Sequence, residues 1–324
     1  LNSGSESMTV AFRLASAHAK TMTDPEGPHA GKAIKALALR GAFHGRTYRP
    51  SRISDSTRAT YHKFLASFRD HNEVVTVEPN NIEQLRSEFD RAQHAEIYFE
   101  AMFMEPVMGE GNPGVAITPE FYAEARKLTQ AHQSLLIVDS IQAALRTHGC
   151  LSIVDYPGFE SLDAPDMETY SKAVNAGQFP LSVLALSDYV SNVYQPSLYG
   201  NTMTANPRAL EVGCATLALV TDELSENIQQ RGKEFITKLM ELQSRTDDAI
   251  TAVNGTGLLV AAELNSDVYN VVGERSVERY MHQHGVNVIH GGRNALRFTP
   301  SFTITSNEID LITGVTEQAL RACK

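Results

Sequence analysis

Cysteine is scarce: Cys150, Cys214 and Cys323 are the only three in 324 residues, far apart and odd in number. Such usage argues against a disulfide framework and fits a reducing compartment. Metal-ligand spacing is missing as well, so no metal is expected. No apolar run approaches the roughly 18 residues of a membrane-spanning helix, and the opening LNSGSESMTV lacks the charged and apolar regions of a signal peptide. A cytoplasmic location away from any membrane is therefore expected. Basic charge is in deficit, 28 residues against 38 acidic for a net −10, and it is scattered. That sets aside nucleic-acid binding as a main role. No G-x-G-x-x-G follows a first strand, which argues against nucleotide-dependent oxidoreduction. There is no internal repeat and no low-complexity tract. An initiating methionine is also absent, and the chain opens directly on a Gly/Ser motif. It reads as the remainder of a longer polypeptide.

What is present is enough for a large core in one or two domains: 42% of residues are hydrophobic and 20% charged. Apolar strands AIKALALR (33–40), AEIYFEAMF (95–103), LLIVD (135–139) and LSVLALS (181–187) alternate with amphipathic stretches such as TPEFYAEARKLTQAH (118–132). In that last stretch Thr118 suits a cap, Pro119 the first turn and Glu120 the positive helix end. The alternation predicts an α/β architecture, a mainly parallel sheet with helices on both faces. A long charged helix near 223–244 then leads into GLLVAAELN, VNVIHGG, ALRFTPSFTI and a closing helix from Asn307. This order predicts a large domain over 1–222 and a smaller α+β domain over 223–324.

Several segments admit a chemical as well as a plain reading. LLIVD places Asp139 where a buried strand leaves the core, and an ionised carboxylate there needs a cationic or hydrogen-bonding partner. Lys172, tight against small residues in SKAVNAGQFP, is either a surface residue of a turn or an amine held for covalent work. Ser3, Gly4 and Ser5 in NSGSES precede Met8, Phe12 and Ala15 at helical spacing; the turn is an ordinary cap or a phosphate cradle of free N–H groups. Phe43 in GAFHGRT is core or lies flat on a planar ligand. His44 is structural or a polar contact. Glu105 and Glu110 in EPVMGEG and Arg297 in ALRFTP are solvated charges or binding groups.

Taken in order, NSGSES, FHGRT, EPVMGEG, VDSIQ…RTHG, PDMETYSK, YGNTMTANP and LRFTP resemble the class III aminotransferases. This pyridoxal-phosphate family includes ornithine, acetylornithine and 4-aminobutyrate aminotransferases, and the likeness runs from Asn2 to about Pro300. Members carry a further stretch before the phosphate turn, which would account for the abrupt opening. The resemblance implies a fold-type I transferase, pyridoxal 5'-phosphate as cofactor, and ping-pong transfer of an amino group from a donor to an aldehyde or keto acid. It implies Lys172 as the Schiff-base lysine, Asp139 as partner of the pyridine nitrogen and Gln142 as a contact to the phenolic oxygen. Ile141 and Phe43 would pack on the two ring faces, with His44 beside them. Ser3, Gly4 and Ser5 would hold the phosphate, joined by Thr202 of the neighbouring subunit in a homodimer with shared sites. Arg297 resembles the substrate-carboxylate arginine and Glu110 the acid that pairs with it, with Glu105 nearby. Related chemistries are aminomutase, racemase and decarboxylase reactions, and a catalytically idle assembly domain is the reading from another class. Two departures stand out. Ser140 occupies the position where the family commonly has Glu, so hydrogen bonding behind the strand end is expected to differ. KAVNAGQFP is poorer in glycine than the usual loop after the lysine, so its backbone is expected to differ too.

Overall fold

In a computed structural model that describes residues 1–69 and 72–324, the alternating segments form a six-stranded sheet and the C-terminal third contributes a second sheet of four strands. The chain divides into two units. One comprises Leu1–Pro106, Ile117–Gln142 and Leu151–Leu219; the other comprises Val107–Ala116, Ala143–Cys150 and Val220–Lys324.

The first unit runs α1 (Gly4–Thr23), β1 (Ala33–Leu39), α2 (Tyr48–Ile53), α3 (Asp55–Phe64), β2 (Val74–Val77), α4 (Ile82–His94) and β3 (Ile97–Met104). It continues through α5 (Pro119–Ala131), β4 (Leu135–Asp139), β5 (Met167–Tyr170), β6 (Val183–Leu186), α6 (Asp188–Val193) and α7 (Pro207–Ala218). The strand order is β2-β1-β3-β4-β5-β6, parallel through β5. β6 is antiparallel to β5, because the connection between them holds only a short 3-10 turn and no helix to cross over the sheet. Every residue of β3, β4 and β5 is buried, as strands covered on both faces require. Alternation assigns the faces. Ala36, Ala101, Phe103, Leu135, Ile137 and Met167 share a core with α1, where Phe12 stacks on Phe103 at 4.3 Å between ring centroids. The alternate residues Leu37, Met102, Leu136 and Val138 are fully buried on the opposite face, where α4 and α5 pack. α1 starts at a Ser3 cap whose side chain accepts from the Glu6 N–H, and Thr118 caps α5 in the same way.

The second unit contains α8 (Asp222–Arg245), β7 (Ile250–Thr256), β8 (Leu259–Leu264), α9 (Val277–Gln283), β9 (Ile289–Gly291), β10 (Ala295–Phe298) and α10 (Ser306–Ala322). Its antiparallel sheet has the order β7-β8-β10-β9. Phe235, Leu239, Phe298, Ile309 and Leu320 form its core, and a Thr305–Glu308 capping box opens α10. Among the described residues no helix is long and apolar enough to cross a membrane, and no group of side chains could hold a metal ion.

Candidate active site

Because β1, β3, β4 and β5 are parallel neighbours, their carboxyl ends emerge along one edge, where open α/β sheets bind ligands. Each strand end delivers a polar group there. β1 leads to Phe43 and His44, β3 to Glu105, β4 to Asp139, Ile141 and Gln142, and β5 to Ser171 and Lys172. Together with Ser3, Gly4, Ser5 and Gly45 these residues line one cavity of about 180 Å³. All of them belong to the first unit.

The start of α1 forms one wall. The Ser3 carbonyl accepts from the Glu6 and Ser7 N–H groups, while the N–H groups of Gly4 and Ser5 have no protein acceptor among the described residues. Two free donors and the positive helix end make an anion site. Its tightness depends on glycine: a side chain on Gly4 would lie 2.7 Å from Ile141 Cδ1, and one on Gly45, at φ +113°, would lie 2.6 Å from Ser5 Oγ. Glu6 sits just behind. Burial raises its pKa, but hydrogen bonds from Tyr199, from the Asn2 N–H and from Asn201 outweigh that and hold the carboxyl below its ordinary range.

Asp139 is buried and receives three hydrogen bonds. His44 Nδ1 lies 2.9 Å from Oδ2, while Thr169 Oγ1 and the Ile141 N–H reach Oδ1 at 3.3 and 3.2 Å. An ionised carboxylate only accepts, so His44 carries its proton on Nδ1. Its Nε2 is then buried without a protein partner among the described residues. Lys172 donates to Gln142 Oε1 at 3.0 Å. Its backbone lies at φ +47°, in the left-handed region, which costs a non-glycine residue about 1 kcal/mol. The glycine-poor turn that follows uses Ala176 at φ +47° and Gly177 at φ +71°. The buried Glu105 carboxylate accepts from the Phe43 N–H at 2.9 Å, tying β3 to the β1 loop. Behind Asp139, Ser140 donates to the buried Glu168 carboxylate at 2.5 Å. Burial raises the Glu168 pKa, and hydrogen bonds from Ser140, Ser152, Tyr170 and the Ile153 N–H offset this only in part.

Three of the expected site residues lie off this cavity. Thr202 is exposed in the loop between α6 and α7, whose Tyr199 and Asn201 both donate to Glu6. Glu110 and Arg297 belong to the second unit, where Arg297 Nη1 donates to the Gly109 carbonyl and the Gly292 N–H donates to the Glu110 carbonyl at 2.6 Å. Gly45, Thr169, Ser171 and Glu168 escaped the reading of the sequence. For Thr169 the available signal was its place three residues before Lys172 on the strand beside Asp139.

A family profile described as Aminotransferase class-III matches residues 1–320. Ornithine aminotransferase 1 of Staphylococcus aureus is 30% identical over 319 residues, covering 96% of this chain and 72% of that protein. The ornithine aminotransferase of Staphylococcus carnosus is 29% identical over 312 residues, with the same coverage of 96% and 72%. Solved structures share the fold. Ornithine aminotransferase from Toxoplasma gondii superposes with a TM-score of 0.82 at 24% identity, over 99% of this chain and 71% of that one. N-acetylornithine aminotransferase from Stenotrophomonas maltophilia gives 0.73 at 22% identity, over 99% and 74%.

Proposed function

The chain belongs to the class III aminotransferase family, whose members are pyridoxal-phosphate-dependent transaminases, and from that premise we propose how its own residues perform a ping-pong transamination. What supports the reading is the single cavity that gathers a helix start with free N–H groups, a buried strand-end carboxylate and a lysine in strained backbone. The residues fit pyridoxal phosphate. Gly4 and Ser5 leave N–H donors for the phosphate in a cradle that a Cβ would fill, and Asp139 offers a carboxylate fixed in direction for the pyridine nitrogen. When bound, the cofactor supplies a reactive aldehyde and an electron-withdrawing ring.

Asp139 would hold the pyridine nitrogen and favour its protonated form through a charge-assisted hydrogen bond. His44, Thr169 and the Ile141 N–H hold that carboxylate in place, so no reorientation is needed during turnover. Ile141 and Phe43 line the cavity and would hold the ring, and Gln142 would serve its phenolic oxygen. Lys172 would hold the cofactor's aldehyde covalently, and its amine would carry a proton to and from the amine-bearing carbon of the substrate. A positioned acid/base contributes roughly 10²–10⁴-fold. Arg297 is the group for a substrate carboxylate, with Glu110 its alternative partner and Glu105 the brace of the Phe43 loop. The donor is an amine or amino acid, and the acceptor an aldehyde or keto acid. Ornithine is the first donor to try, since the relatives above carry its name.

The functional unit is a homodimer in the cytoplasm, in which Thr202 reaches the partner's phosphate. Exposed Met203, Leu210, Leu217 and Leu219 on and beside α7 support an apolar interface, and three free thiols support the compartment. Mixing inactive Lys172→Ala and Thr202→Glu chains should restore activity to about a quarter of wild type, because a mixed dimer keeps one intact shared site. No restoration would mean that the sites are not shared.

The decisive experiment is optical. Purified protein given pyridoxal phosphate should turn yellow, and borohydride should fix the cofactor on the Lys172 peptide. Amino transfer from ornithine or acetylornithine to 2-oxoglutarate or pyruvate should follow. A protein that stays colourless overturns the reading; one that isomerises or decarboxylates its substrate without passing on nitrogen overturns the transamination.

A further inference from the structure

The strand end that carries Asp139 is held from both faces of the sheet. On the α1 face, Thr169 Oγ1 grips Asp139 Oδ1 at 3.3 Å and also reaches Met8 of α1. On the opposite face the residue after Asp139 and the residue before Thr169 make a second contact, where Ser140 Oγ donates to Glu168 Oε1. The Ser140 N–H also donates to the Thr169 carbonyl at 3.0 Å, so the last peptide of β4 stays in the ladder with β5. Glu168 is anchored in turn by Ser152 Oγ at 2.7 Å and the Ile153 N–H at 3.1 Å, at the start of a 3-10 turn. A carboxylate only 3% exposed, with no cation bonded to it among the described residues and no part in the chemistry above, is costly to bury. Its link to the end of β4 is Ser140.

We propose that Glu168 is a positioning residue which, through Ser140, fixes the angle at which Asp139 and Gln142 enter the cofactor cavity. The inference rests on the functional reading above. Its mechanical basis is the alternation of a strand: residues 139 and 140 point to opposite faces, so any rotation of the strand end about its axis swings both at once. On one side the Asp139 carboxylate is held by His44, Thr169 and the Ile141 N–H. Glu168 holds the other side at Ser140 Oγ, so a roll of the strand end is opposed from both faces. The acid missing from position 140 is thus supplied by the adjacent strand. The same strand carries Lys172 two residues beyond its end, so β5 sets both the carboxylate's direction and the amine's starting point.

Two serines donate to the same carboxylate and only one touches the strand end, which gives a controlled comparison. Ser140→Ala and Ser152→Ala each delete one hydrogen bond to Glu168, and Ser152→Ala also removes the cap on the Val154 N–H, so both should lower thermal stability, Ser152→Ala at least as much. Ser140→Ala should also weaken pyridoxal phosphate binding roughly five- to tenfold, the size of one ordinary hydrogen bond. It should shift the pH midpoint of the visible band, whereas Ser152→Ala leaves affinity and midpoint near wild type. Ser140→Thr, which keeps the hydroxyl, should restore both. Glu168→Gln should group with Ser140→Ala; if it does not fold, the serine pair alone decides. Equal effects of the two serine variants on affinity and midpoint, or no effect of Ser140→Ala on either, overturns the proposal. Wild-type protein that takes up no pyridoxal phosphate overturns the functional reading instead, before any variant is compared.

Discussion

Gly45 occupies a backbone conformation closed to other residues, and the reason lies across the cavity. At φ +113° it brings its Cα against Ser5, so that an added Cβ meets Ser5 Oγ at 2.6 Å. The Arg46 N–H, next in the chain, donates to that same hydroxyl at 3.3 Å. Gly45→Ala therefore both strains the loop and pushes on the helix start that offers its N–H groups to an anion. The backbone part should cost about 1–3 kcal/mol of stability, measurable by thermal or urea unfolding. The displaced Ser5 should weaken pyridoxal phosphate more than pyridoxal, which lacks the phosphate, when both are titrated against the variant. Equal weakening of the two would remove Gly45 and Ser5 from phosphate binding.

At the scale of elements, the caps and fully apolar strands were the legible parts, and short or edge elements were not. LLIVD forms β4 over the residues expected, and Thr118 caps α5 ahead of Pro119 as its residue types require. β2 has only four residues, and β7 contains Asn254 and Gly255, so neither carries enough pattern to stand out from a loop. β6 was legible as a strand but not in direction, because direction depends on a connection that shows no periodicity. The same division runs through the candidate site. Groups at strand ends announce themselves as polar residues terminating apolar runs. Glu168 does the reverse, interrupting β5 with a charge whose partners Ser140 and Ser152 lie far back in sequence. Ser3 is the element-scale case to test, since its hydroxyl accepts the Glu6 N–H at the start of α1. Ser3→Ala should cost about 0.5–2 kcal/mol and Ser3→Gly only a few tenths, read from urea unfolding midpoints. Equal losses would mean that the hydroxyl contributes nothing to the helix start.

Across the whole molecule, buried and half-buried titratable groups set how stability responds to acid. His132, against the Phe89 ring, has its pKa lowered by burial and by the neighbouring His29 and Lys32 charges, and burial alone lowers that of His148. Burial and Lys32 lower His29 as well. In the unfolded chain these imidazoles take up protons near the ordinary value of about 6.5, before the folded chain does. Their contribution to stability is therefore fully present above that pH and is lost as the pH falls through it toward the folded-state values. Glu100 and Glu168 act with the opposite sign, because burial raises their pKa values above the ordinary carboxylate value. The folded chain protonates them first, which favours it as the pH falls toward about 4.5. The net charge of −10 adds a self-repulsion that acid also relieves. These carboxylate and net-charge effects are common to wild type and to a His132→Gln, His148→Gln double variant, so they cancel in the difference between the two. The variant should lose less stability than wild type between pH 7 and about 5.5, measured by urea unfolding at each pH. Parallel stability curves for the two proteins would show that neither histidine is protonated more readily in the unfolded chain.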